Sequence, residues 1–176
     1  MTLQPLNGFI PLHTHHCVTG SMQHVYAYNG YPISEELLIG LGQGVGFIYM
    51  HFKGQPPFFG GRGMPKPSME QIAGRCTDVR IELHTNKSAR NARQAMLRLL
   101  ASGQPVMIQV DMGFLPYFDF GGQEYQFGGH AIVVCGYDPE ADEALVADRD
   151  GLHPAPMADL ERARGSLFKP FPPHNQ

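Results

Sequence analysis

Cys17, His130 and Asp148 have the residue types that nucleophilic catalysis requires, in the order nucleophile, base, orienting acid. Cys17 stands at the predicted start of an amphipathic helix, where unpaired backbone N–H groups and the helix dipole favour negative charge. A thiol in such a place has a lowered pKa and a larger fraction of the nucleophilic thiolate. A cysteine nucleophile also needs a base, and the base needs a group to orient it. His130 follows two glycines and opens the run A-I-V-V-C-G-Y, at the mouth of a strand; the run A-L-V-A-D ends at Asp148. The two runs are joined by D-P-E-A-D-E, a hairpin signal, and in an antiparallel hairpin the start of one strand lies beside the end of its partner. His130 and Asp148 are therefore expected at one edge of a sheet, the carboxylate fixing the imidazole tautomer while the other ring nitrogen faces the thiol. Each residue alone has a plainer use: most free cysteines are small buried hydrophobes, a histidine can belong to a core and an aspartate can cap a turn. The expectation rests on the three together.

Other segments suggest competing chemistry. H-T-H-H-C places His13, His15 and His16 beside Cys17, all potential zinc ligands. No downstream C-x-x-C or H-x-x-x-H completes such a site, so no metal is expected. G-L-G-Q-G-V-G looks like a nucleotide loop, but it follows a helix and precedes a strand, the reverse of the phosphate-cradling order, and it lacks the Walker lysine. Gly42 and Gly44 there serve either a structural bend or the close approach of backbone to a ligand. Arg62, in F-G-G-R-G, is the first arginine of the chain; it either pairs with an anionic substrate group or is simply solvated. Cys76 and Cys135 suggest no role.

Composition bounds these readings. Of 176 residues, 43% are apolar and only 16% charged, while 21 glycines and 15 prolines point to a loop-rich domain. Disorder throughout, collagen and coiled coil are excluded. With 13 basic against 16 acidic residues, and no Lys or Arg before Lys53, there is no basic footprint for nucleic acid. The segment 1–16 has neither the positive start nor the apolar run of a secretory signal, and no run of about 18 apolar residues is present. Three cysteines without a C-x-x-C argue against a disulfide framework. A cytoplasmic protein, off the membrane and without a cofactor, is expected.

The elements that must carry these residues follow from periodicity and punctuation. Helices are predicted from Cys17 to about Asn29, with Gly30 as its C-terminal stop, and from Ser34, an N-cap followed by Glu35 and Glu36. Shorter or longer helices are predicted over about 68–73, 88–102 and 157–164. Strands are predicted over 47–52, 79–83, 106–110, 130–137 and 144–148. The segment 54–67 is predicted to be irregular because of its Gly and Pro content, 112–128 a long aromatic loop, and the end of the chain unstructured. Helices first, then strands linked by short turns, fit an α+β domain with an antiparallel sheet. The expected organisation is an irregular lead-in over 1–14, one domain over 15–165, and over 166–176 a tail or the start of a linker to a C-terminal domain.

H-C-V-T-G-S-M-Q, Y-N-G-Y-P-I-S-E-E-L-L-I-G-L-G-Q-G-V-G-F-I-Y, G-G-R-G, Q-P-V-M-I-Q-V-D, L-P-Y, G-G-H-A-I-V-V-C-G-Y-D, V-A-D-R and L-E-R-A-R occur in this order. Together they resemble the N-terminal domain of the butirosin-biosynthesis acyltransferase family over roughly residues 15–165. The resemblance implies a papain-like cysteine-protease fold, similar also to the bacteriocin-processing peptidase domains of exporters. It implies transfer of an acyl group from a carrier-protein or coenzyme-A thioester to an amine, with Cys17 taking the acyl group, His130 acting as base and acid, and Asp148 orienting it. The same residues would serve a cysteine peptidase or amidase with water as acceptor, and an inactive binding module is the third reading. Two departures stand out. The glutamine that papain-like peptidases place shortly before the cysteine is missing, the nearest being Gln4, which leaves the oxyanion to the Cys17 N–H and a donor such as His16 or a loop. Family members also usually continue into another domain, so a C-terminal domain or a second copy is expected to cover part of this surface.

Overall fold

The computed structural model describes residues 3–54 and 56–176. The chain divides into two compact units: residues 1–32 with 83–176, and residues 33–82.

The larger unit is a four-stranded antiparallel meander in sequence order: β3 (Val106–Val110), β4 (His130–Asp138), β5 (Glu143–Asp148) and β6 (Gly151–Pro156). Helix α1 (Cys17–Tyr28) covers one face, where Val25 and Tyr28 pack with Phe9 on Val133, Cys135, Leu145 and Ala147. Helices α4 (Ala89–Ala101) and α5 (Met157–Gly165) cover the other, burying Met96, Leu100, Met157 and Leu160 on Ile132, Val134, Ala144 and Val146. The two sets alternate along β4 and β5 as the period of two demands. Because both faces are covered, almost every residue of β4 is buried.

Helix ends follow the local sequence. After α1, Gly30 takes φ +85°, the Gly30 N–H donates to Ala27 O and the Tyr31 N–H to Tyr26 O, the paired bonds of a Schellman stop. Gly103 (φ +80°) ends α4 in the same way, with Gly103 N–H on Leu100 O and Gln104 N–H on Leu99 O.

The smaller unit holds α2 (Glu35–Leu41), capped by Ser34 as expected, β1 (Val45–Met50), β2 (Phe58–Arg62) and α3 (Met69–Cys76), which opens with a Ser68–Gln71 capping box. Here two expectations fail. The glycine-rich stretch expected to be irregular supplies β2, which pairs antiparallel with β1 from Met50↔Phe58 to Val45↔Arg62; this pairing also draws β1 two residues earlier than predicted. The segment 79–83 is not a strand, despite its alternating Val79, Ile81 and Leu83. Asp78 takes the left-handed conformation (φ 57°), the Val79 N–H returns to Gly74 O, and Ile81 lies 3.0 Å from where a Gly74 Cβ would be. Val79 and Ile81 fold back on the end of α3 instead of reaching a partner strand.

One further correction concerns the larger unit. β6 was not expected at all. The tail lacks regular structure but is tied down: the Asn175 N–H donates to Arg164 O at 2.9 Å, the Gln109 N–H to Gln176 O at 3.2 Å, and the Phe171 ring meets that of Phe127 edge-on.

Candidate active site

His130 and Asp148 open β4 and close β5. Continuing the β4–β5 register one step past Val133↔Ala147 brings Asp148 level with Ile132, diagonal to His130 on the same face. His130 Nε2 donates to Asp148 Oδ2 at 2.7 Å, with both side chains buried. That leaves Nδ1 for the third residue. Cys17, the first residue of α1 and half-buried, is close enough to the His130 ring for its side chain to raise the proton affinity of the imidazole. The helix on one face of the sheet thus brings its first side chain to the end of a strand whose histidine belongs to the other face.

The electrostatics follow from this arrangement. Burial disfavours a charged imidazole, but the hydrogen bonds and charges of Asp148 and Cys17 outweigh it, and the His130 pKa is raised to about 9. Burial likewise opposes the Asp148 carboxylate, yet the His130 hydrogen bond and charge, together with the Arg149 N–H, hold its pKa below the usual carboxylate value. At neutral pH the arrangement favours an imidazolium paired with the Asp148 carboxylate.

The approach to Cys17 is fixed by the residues before it. His24, buried, stacks on Phe9, accepts the Leu12 N–H on Nε2 at 3.0 Å and donates from Nδ1 to Gly20 O at 2.8 Å. The Thr14 N–H donates to Arg149 O at 2.9 Å, linking the lead-in to the residue after Asp148. His16 is the N-cap of α1: its Nδ1 accepts the Thr19 N–H at 3.3 Å and lies 2.9 Å from Thr19 Oγ1. Its Nδ1 therefore caps the N-terminal turn of the helix.

Gly42, Gly44 and Arg62 belong to the smaller unit, and the site described here is built from the larger one. A Cβ on Gly42 would come within 2.7 Å of Met69 O, and one on Gly44 within 2.7 Å of Ile39 Cγ1. The bend is glycine-rich because α3 packs against it. Arg62 ends β2 opposite Val45. Among the described residues, no group of three His, Cys, Asp or Glu side chains is placed to hold a metal ion. Cys135 is buried, which pushes its thiol up to about 12; Cys76 is exposed.

Two contributors escaped the sequence reading, both around the loop between β3 and β4. Tyr117 donates its hydroxyl to Asp148 Oδ2 at 3.1 Å. Asp111, fully buried, accepts the Gly113 N–H at 3.1 Å, the Phe127 N–H at 2.8 Å and the Ser166 hydroxyl at 2.6 Å. Both ends of the loop are thus buckled to one carboxylate. Between them, Phe118 meets the His130 ring edge-on at 5.6 Å, and Phe118, Phe120 and Tyr125 stack in succession. The sequence signals for these residues were the aromatic density of the loop and their places at the ends of the Q-P-V-M-I-Q-V-D and L-P-Y motifs, neither of which pointed to a contact with the site.

The family profile of butirosin biosynthesis protein H, N-terminal, matches residues 16–149. The chain belongs to this family. No curated protein sequence matches it. The matched segment begins one residue before Cys17 and ends one residue after Asp148, so it contains all three residues of the cluster. Membership implies, at a coarse level, an enzyme of acyltransferase type in a biosynthetic system. No helix among the described residues is long and apolar enough to cross a membrane.

Proposed function

We propose that the protein is a cytoplasmic, papain-like acyltransferase that carries its acyl group on Cys17. The observation that carries this reading is the buried His130 imidazole, hydrogen-bonded to Asp148 at 2.7 Å, with the Cys17 side chain among the groups that raise its pKa to about 9. The nucleophile helix on an antiparallel sheet that bears the base and the acid supports the fold assignment.

In the proposed reaction the Cys17 thiolate attacks the carbonyl carbon of an acyl thioester, held on a carrier protein or coenzyme A, to give a tetrahedral oxyanion. Collapse breaks the carbon–sulfur bond of the donor, and its thiol departs with the proton of the His130 imidazolium. The acyl group is then joined to Cys17 as a new thioester. An amine attacks that carbonyl, neutral His130 takes the proton of the amine, and collapse releases the amide and restores the thiolate–imidazolium pair. Asp148 keeps one tautomer in place through both halves, and the positive end of the α1 dipole lies beside the sulfur.

The test is to incubate the protein with a panel of acyl-coenzyme A and acyl-pantetheine thioesters and weigh the intact chain. A mass gain of one acyl group, absent in Cys17→Ala and discharged faster by amines than by water, is expected. Discharge by water alone would make the protein a hydrolase. No mass gain with any donor would remove the acyl-enzyme.

A further inference from the structure

The Asp148 carboxylate is held from two sides. Oδ1 accepts the Arg149 N–H at 2.7 Å, and the Arg149 Nε stands 3.7 Å from the same oxygen. Oδ2 takes His130 Nε2 at 2.7 Å and the Tyr117 hydroxyl at 3.1 Å. We propose that Tyr117 is a positioning residue, whose hydroxyl holds the Asp148 carboxylate in the orientation that keeps Oδ2 on His130. This inference rests on the reading of Cys17 and His130 as nucleophile and base.

Tyr117 can act only as a donor here. Burial, followed by the charge of Asp148 and its hydrogen bond, pushes the phenol far above its ordinary range, and Asp150 adds to the push while Arg149 opposes it. The ring itself is clamped. His153 stacks on it with centroids 4.1 Å apart and planes 15° from parallel, and His153 is held by Asp150 at 2.8 Å. Phe118 lies 5.0 Å from the Tyr117 ring, and its own edge meets His130. A phenol fixed in this way presents its hydroxyl from one direction.

The opposing pull is identifiable too. The Arg149 Nε that faces Oδ1 is buried and without a hydrogen-bond partner, so it competes for the carboxylate. Around the carboxylate, the charged and titratable groups are His130, Tyr117, Arg149 and Asp150, the last paired with His153; Cys17 is the other such group on His130. Without the Tyr117 hydroxyl, only the imidazole resists Arg149. The carboxylate then turns toward the guanidinium, and His130 loses both its orientation and part of the charge that keeps it protonated.

Tyr117→Phe keeps the ring and its stacking and removes only the hydroxyl. The His130 titration, followed by NMR of histidine-labelled protein, is the measurement. We expect the midpoint to fall by about one pH unit in the variant, a tenfold change in the protonation equilibrium, with thermal unfolding little changed. An unchanged midpoint overturns the proposal. So does a raised one, because it would mean that the hydroxyl only withdraws charge from Asp148. Should Tyr117→Phe fail to fold, His153→Ala, which removes the backing of the ring, must lower the midpoint in its place; an unchanged midpoint there overturns the proposal equally. A wild-type His130 that titrates near the ordinary histidine value and ignores Cys17→Ala would instead sink the thiolate–imidazolium reading.

Discussion

Thr14 occupies the space that a side chain on Gly20 would need: a Cβ on Gly20 would lie 2.6 Å from the Thr14 Cβ, and Thr14 is buried. The first turn of the nucleophile helix and the lead-in segment are therefore packed backbone to side chain with no slack. Gly20→Ala must push Thr14 away and with it the N–H that links the lead-in to Arg149. A destabilisation of about 1–3 kcal/mol is expected, the usual cost of overpacking, together with slower alkylation of Cys17. Chemical unfolding and timed iodoacetamide labelling measure the two effects. A neutral Gly20→Ala would mean that the lead-in yields freely.

Cys17 should react selectively at mildly acidic pH. A solvated thiol is mostly protonated at pH 6, whereas Cys17 lies against a His130 that is still charged there. Alkylation of Cys17 at pH 6 is expected on the order of a hundredfold faster than that of exposed Cys76, and His130→Gln should abolish most of the difference. Mass mapping of the labelled peptides decides it. Equal labelling of the two thiols would count against an activated cysteine.

The worth of Asp148 should depend on pH in a defined direction. The folded-state pKa of His130 is raised to about 9, above its unfolded value of about 6.5. Its contribution to stability is therefore complete below about pH 6.5 and is lost as pH rises through 9. Asp148→Ala leaves a buried imidazolium without its partner and should cost about 3 kcal/mol at pH 6. At pH 10, where the ring is neutral in the wild type, the cost should be clearly smaller. Urea unfolding of both proteins at the two pH values reads this directly, and a cost independent of pH would contradict the raised pKa.

Asp111→Ala tests the buckle of the aromatic loop. It strands the N–H groups of Gly113 and Phe127 and the hydroxyl of Ser166. Buried donors left without acceptors cost about 1–3 kcal/mol each, so a loss of about 3 kcal/mol or more is expected. Proteolytic cutting should then appear first between residues 112 and 127. Retention of full stability, with the loop uncut, would show that the tail and the stacked rings suffice to hold it.

What could be read in advance was whatever depended on local periodicity. His130 and Asp148 were legible as neighbours because a hairpin with alternating apolar residues fixes which ends meet. Cys17 was legible as a helix start, since Val18, Met22, Val25 and Tyr26 recur at helical spacing before Gly30. The strands that were missed are the ones whose composition opposes strands. β2 contains Gly60 and Gly61, and β6 contains Pro154 and Pro156, tolerated because β6 lies at the sheet edge. The strand wrongly expected around Ile81 had alternation but no partner. Tyr117 was out of reach for a different reason: nothing near it in sequence marks a contact with a carboxylate 31 residues away.

The Asp111 buckle has a consequence for divergence. The two ends of the loop meet independently of what lies between them, at Asp111 and through the Met112 N–H on Phe127 O at 3.0 Å. Closing a longer loop then costs little, since the entropy of closure grows only logarithmically with length. Insertions and replacements beyond Tyr117 and Phe118, between residues 119 and 126, can reshape the wall beside His130 without disturbing β3 or β4. Descendants of this sequence could acquire new substrates by rewriting one surface segment while the sheet beneath it stays as it is.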